Sequence, residues 1–141
     1  MKALLFILLV ALVACQSSTV DKKGNEIKYK ETVQINDVPK ATLTFFDVSD
    51  SRCPENVKCV WAGNAKVDLA LEGVGTEGKI TKHINLCLGA CSTSRGFHTI
   101  DSLDQDFAGQ KYRFILESVN PYPIAAKTKN DYSISLRIEK K

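Results

Sequence analysis

The sequence predicts an all-β fold: an antiparallel β-sandwich, Ig-like or of related Greek-key type, with six to eight strands stapled by disulfides. Three observations predict it. From Ile27 onward, apolar and polar residues alternate at period two, in runs bounded by Gly, Pro, Asn and Asp. No window of about twelve residues carries a helical stripe. Four cysteines, Cys53, Cys59, Cys87 and Cys91, stand in two close pairs. A sheet that is apolar on one face must bury that face against another, and two such sheets make a sandwich.

The strands are read in order as residues 27–35, 41–48, 65–71, 79–86 and 111–119, with a weaker run at 97–100 and a final one at 132–138. The last is the clearest: Tyr132, Ile134, Leu136 and Ile138 share one face and the other face is polar. Residues 72–78, with three glycines in seven positions, read as a hairpin connection. Residues 102–109 are expected to form a short turn of helix. There is no internal repeat.

Ahead of the domain, Lys2 precedes an apolar run at residues 3–13, followed by Ala14 and Cys15. The run is shorter than the roughly 18 apolar residues needed to span a bilayer, so it reads as a cleaved secretory signal peptide. Its end, Leu12-Val13-Ala14-Cys15, resembles the lipobox of bacterial lipoproteins. That resemblance implies cleavage before Cys15, which then carries a diacylglyceryl group and an amide-linked acyl chain. Each buried CH₂ contributes about 0.8 kcal/mol, and stable attachment takes two or more chains, so anchoring would be permanent. Gln16 after the cysteine resembles an outer-membrane sorting pattern. The expected organisation is a lipoprotein signal peptide at 1–14, lipidated Cys15 with a flexible polar tether at 15–26, and one β-sandwich domain at 27–141. The expected localisation is the bacterial cell envelope, at the outer membrane.

With Cys15 assigned to lipid, four of the five cysteines remain. An even number in an exported chain favours disulfides. Three pairings are open. The local one, Cys53 with Cys59 and Cys87 with Cys91, is preferred because each pair brackets a short loop. Chain entropy does not choose: a local ring contributes about 2 kcal/mol and a long crosslink about 4. Zinc is the alternative use of the thiols, with His83 or His98 nearby, but the C-x5-C spacing is outside the usual knuckle and an oxidising compartment competes for the thiols. No C-x-x-C at a helix start supports a redox role.

Between the second and third predicted strands lies DSRCPENVKCVWAGNA, residues 50–65. Together with residues 45–48 before it and Asn120-Pro121-Tyr122-Pro123 in the C-terminal half, it resembles the signature of an uncharacterised family of small exported bacterial proteins, often lipoproteins. Cys87-Leu88-Gly89-Ala90-Cys91 is outside that signature. Physically, a ring opened by Cys-Pro holds the loop rigid, and Gly63 permits a turn. Two readings stay open. In one, the ring staples a long connection and Trp61 packs at the core edge. In the other, the loop is a recognition surface presenting Arg52, Glu55, Asn56, Lys58 and Trp61.

The chain has 141 residues, 44% hydrophobic and 25% charged, which excludes a disordered chain and a multidomain enzyme. Its formal charge of +3 comes from dispersed basic and acidic residues, so no basic stripe marks a nucleic-acid surface. The catalytic inventory is thin. There are two histidines, no GxSxG elbow, no HExxH helix and no phosphate loop. His83 has the parity of Thr81 and Asn85 and should face outward, and His98 reads as a surface residue. Asp47 and Asp50, or Asp101, Asp104 and Asp106, do not match an EF-hand loop and read as solvated or turn-capping acids. The expected function is a membrane-anchored, non-enzymatic binding or structural module, with no cofactor, no metal and no catalytic residue. Its partners are the membrane, through Cys15, and an envelope protein or glycan. The alternatives are a metal-binding envelope protein and a small carboxylate-dependent enzyme acting on envelope polymers.

Overall fold

The computed structural model describes residues 24–92, 96–124 and 128–141. The signal peptide, the lipid site at Cys15 and most of the expected tether lie outside the described residues. Among those described, nine strands form two antiparallel sheets. They are β1 (Asn25–Lys28), β2 (Thr32–Asn36), β3 (Ala41–Asp50), β4 (Asn64–Gly75), β5 (Gly78–Ser92), β6 (Gly96–His98), β7 (Asp101–Phe107), β8 (Gln110–Asn120) and β9 (Ser133–Lys140). One sheet has the order β1-β9-β8-β7 and the other β2-β3-β4-β5-β6. The two pack as a sandwich around a core that includes Leu43, Phe45, Leu69, Leu71 and Leu86 from one side and Ile27, Tyr112, Phe114, Leu116, Ile134 and Leu136 from the other.

The predicted fold class stands, but the strand order is simpler than a Greek key. Strands β2 to β6 are neighbours in chain order, as are β7 to β9, and β1 closes beside β9. A Greek key needs a fourth strand returning beside the first of three, and here each connection within a sheet reaches the next strand in line, while β1–β2 and β6–β7 cross between the sheets. The hairpin at Thr76 and Glu77 joins β4 to β5 as the glycines suggest, with Gly75 paired to Gly78.

The strand expected at 27–35 is two strands in opposite sheets. Tyr29–Glu31 form a turn in which Lys30 takes φ 64°, and the Glu31 carboxylate accepts a hydrogen bond from Lys28 N at 2.7 Å. Ile27 enters the core from one sheet and Ile35 from the other, with Tyr29 and Val33 packed against it. The odd positions point inward on both sides of the break, so the alternation never falters. The helical turn expected at 102–109 is instead β7, paired along β8 from Asp101 opposite Leu116 to Phe107 opposite Gln110. Leu103 and Phe107 pack inward, but the intervening Gln105 hides the alternation.

Two bulges reset the inward phase. In β3, Phe46 is the extra residue between pairs Phe45–Leu69 and Asp47–Asp68, so burial passes from Phe45 to Val48. In β8, Glu117 is extra between Leu116–Leu136 and Ser118–Ser135, so burial passes from Leu116 to Val119. The re-aimed Glu117 carboxylate accepts hydrogen bonds from Gly24 N at 3.0 Å and Ser135 Oγ at 3.2 Å, tying the start of the domain to β8 and β9.

The register places the 37–40, 76–77 and 108–109 turns at one end of the sandwich. The β3–β4 connection (51–63), the end of β5, the start of β6, the β6–β7 connection and the described residues of the β8–β9 connection (121–124 and 128–132) lie at the other.

Candidate functional site

The end carrying the long connections is built on one buried ion pair. β3 ends at Asp50, and Arg52 curls back on it two residues later. Asp50 Oδ1 accepts hydrogen bonds from Arg52 N at 3.1 Å and Nε at 2.8 Å, while Oδ2 accepts from Arg52 Nη2 at 2.7 Å and from the Tyr132 hydroxyl at 3.1 Å. Both side chains are over nine-tenths buried. Burial works against ionisation of Asp50, but the hydrogen bonds and charge of Arg52 outweigh it and hold the carboxyl below its ordinary value of 3.8. Burial and the Asp50 charge push the Tyr132 hydroxyl upward. Arg52 Nη2 also donates to Pro121 O at 3.3 Å, and its guanidinium lies 4.5 Å from the centre of the Tyr122 ring. A single arginine thus joins the β3–β4 and β8–β9 connections.

The β3–β4 loop is a stapled extension of its hairpin. Ser51 N donates to Asn64 O at 2.8 Å and Cys53 N to Ala62 O at 3.0 Å, and a disulfide joins Cys53 to Cys59 beyond them. Gly63 sits at φ +68°, and a Cβ there would lie 1.8 Å from Ser51 O, so only glycine fits. Its carbonyl accepts from Ala90 N at 2.9 Å, and Asn64 Nδ2 donates to Ala90 O at 3.0 Å. The loop base is thereby fixed to the end of β5, where the second disulfide joins Cys87 to Cys91. The local pairing expected from the sequence is the one present. All four sulfurs are bonded to one another, so they supply no thiolate for zinc.

Of the residues expected to face a partner, Glu55, Asn56 and Lys58 are exposed on the ring. Arg52 is not: the carboxylate of Asp50 draws it inward, and it is an anchor rather than a presented group. Of the reading of Asp50 as a solvated or turn-capping acid, the turn-capping part holds, since its carboxylate accepts from Arg52 N, and the solvated part does not, since the side chain is buried. Trp61 does not pack at the core edge. It is 78% exposed, because the hairpin extension carries it past the last core layer, and Val60 beside it is 92% exposed. Phe97 on β6 and Ile100, Tyr122 and Ile124 on the neighbouring connections are exposed large hydrophobics.

Between these connections lies a cleft of about 330 Å³. Leu88 and Val119 contribute its apolar lining, and Phe97 and Tyr122 its aromatic groups. Arg52, His98, Thr99, Glu117, Ser118 and Asn120 are the polar residues that line it. His98 is therefore not a plain surface residue; its Nδ1 stands 3.9 Å from Asp101. Asp101 is also committed to the scaffold, accepting from Cys87 N at 2.9 Å. His83 faces outward as its parity predicts, bonded to Asp68 at 2.8 Å with its ring edge-on to Phe46. It lies away from the cleft. Among the described residues no cluster of three or more His, Cys, Asp or Glu is arranged to hold a metal ion.

The sequence assigned no binding role to Asp50, Phe97, Asn120 or Tyr122, although Asp50 stood among the acids considered and Asn120 and Tyr122 within the family signature. Asp50-x-Arg52 carried a signal, since that spacing lets a carboxylate take both the arginine amide and its guanidinium. Comparison of the chain with protein-family models, with curated proteins and with solved structures finds no match in any of the three.

Proposed function

We propose that this chain is a bacterial envelope lipoprotein, anchored by lipid on Cys15, whose non-enzymatic β-sandwich binds an envelope partner through its disulfide-stapled end. The observation that carries the reading is where the exposed apolar surface lies. Val57, Val60, Trp61, Phe97, Ile100, Tyr122 and Ile124 are exposed on β6 and the connections at that one end, whereas among the described residues only Val38, Phe46 and Val74 are exposed large hydrophobics elsewhere. Exposed aromatic and aliphatic groups cost solubility and mark interaction sites when they gather on one surface. Here they stand on loops held by two disulfides, a buried ion pair and a network of backbone hydrogen bonds, so little ordering entropy is lost on binding.

The path of the chain fits an anchor at the N-terminus. β1 runs from Asn25, opposite Leu136, to Lys28, opposite Ser133, toward the stapled end. The chain therefore reaches β1 from the side opposite the stapled end. Two measurements test the reading. Cys15→Ser should move the protein from the membrane pellet to the soluble fraction, and unchanged retention would contradict the anchor. The full-length protein should co-sediment with purified cell envelope, and Val60→Ser with Trp61→Ser should reduce that co-sedimentation; undiminished binding by the double variant would contradict the assigned surface.

A further inference from the structure

We infer that the cleft at the stapled end binds an uncharged saccharide unit, an inference that rests on the binding-module reading and names its ligand class. Arg52 and Glu117 are the charged residues that line the cleft, and each is already compensated, Arg52 by Asp50 at 2.7 Å and Glu117 by Arg137 at 3.2 Å. With neither sign in excess, the cleft selects for neither an anion nor a cation.

What it does offer is unspent hydrogen-bonding capacity. Arg52 spends Nε and Nη2 within the chain, but Nη1 donates to no group among the described residues. Asn120 donates from Nδ2 to Ser118 Oγ at 3.0 Å and leaves its Oδ1 without a partner among the described residues. The ring nitrogens of His98 and the hydroxyl of Thr99 have no hydrogen-bond partner there either. These donors and acceptors stand around apolar Leu88 and Val119, flanked by Phe97 and Tyr122. A pyranose ring matches that mixture, because its C–H face is apolar and stacks on aromatic rings while its hydroxyls both donate and accept. The volume of about 330 Å³ is at the small end of small-molecule sites.

An extended peptide is the competing uncharged ligand, and the edge of the sheet argues against it. β6, the edge strand flanking the cleft, is only three residues long and its pairing with β5 is irregular. Strand addition needs a longer free edge.

Calorimetric titration of the full-length protein in detergent with chitobiose, maltose, lactose and an N-acetylated, C-amidated dialanine tests the inference. Saturable binding of at least one disaccharide is expected, with no binding of the dipeptide. Asn120→Ala and Phe97→Ala, both exposed positions, should each weaken it about tenfold, while Thr42→Ala at the far end should leave it unchanged. Circular dichroism establishes that the variants are folded. Absence of saturable binding to all three disaccharides, preference for the dipeptide, or wild-type affinity in both cleft variants would overturn the inference. Failure here with envelope co-sedimentation intact removes the saccharide alone, whereas loss of both removes the binding-module reading.

Discussion

Replacing Asp50 by Asn should destabilise the protein far more than its position at a strand end suggests. The side chain is 2% exposed and its partner Arg52 8%. Asn keeps the shape and one acceptor but removes the charge, leaving a buried guanidinium with no counter-ion and only neutral acceptors, the amide oxygen and Pro121 O at 3.3 Å. Removing one member of a buried pair costs about 3–5 kcal/mol, and because the pair sits under a surface loop the lower figure, about 3 kcal/mol, is expected. For a domain of this size that corresponds to a fall in Tm of roughly 10–15 °C. The companion variant, Asp50→Leu with Arg52→Met, removes both charges and should recover to within about 1 kcal/mol of the parent. Urea unfolding of the oxidised full-length protein, followed by circular dichroism, is the appropriate assay, since the single tryptophan is already exposed and reports poorly on unfolding. An Asp50→Asn protein within 1 kcal/mol of the parent, or a double variant as unstable as the single one, would refute the reasoning.

Further outcomes follow from the same structure. The Asp47 carboxyl is held below its ordinary value of 3.8 by its hydrogen bond from Lys129, and Asp104 by those from Arg113 and Lys141; Asp50 joins them. Lowered folded-state values stabilise the protein above pH 3.8 and lose that contribution as pH falls. Unfolding free energy should therefore decline below about pH 4, and Asp50→Asn or Asp104→Asn should flatten that decline in urea titrations at stepped pH. Gly63→Ala forces a Cβ into Ser51 O and should lower Tm much more than Gly109→Ala. At Gly109 only the positive φ of 76° opposes the side chain, at about 1–2 kcal/mol. Opening the first ring with Cys53→Ser and Cys59→Ser should lower the unfolding free energy by about 2 kcal/mol and reduce envelope co-sedimentation.

Alternation was enough to read the sandwich, because each buried face shows itself every second residue. It was not enough to read strand breaks that preserve phase. The turn at Lys30 sends the chain to the opposite sheet without disturbing the inward parity of Ile27 and Ile35. The converse happens at Gln105, where a polar residue on the inward face of β7 erases a strand that is present. The disulfides were legible because both are local. The cleft was not, because Arg52 meets Pro121 across 69 positions of sequence and no spacing records that meeting. Arg52 itself stood within the highlighted segment, but its role was inverted. A charged residue beside a cysteine reads as presented to solvent until the carboxylate two residues earlier is seen to hold it inward.

In the proposed function the stapled end is where this protein meets its partner. The most direct test is residue-resolved amide chemical-shift mapping of the ¹⁵N-labelled full-length protein titrated with soluble fragments released from purified cell envelope. The account predicts saturable shifts concentrated at residues 52–63, 88–92, 96–99 and 117–124. Shifts centred on the 37–40, 76–77 and 108–109 turns, or none at saturating fragment, would contradict it.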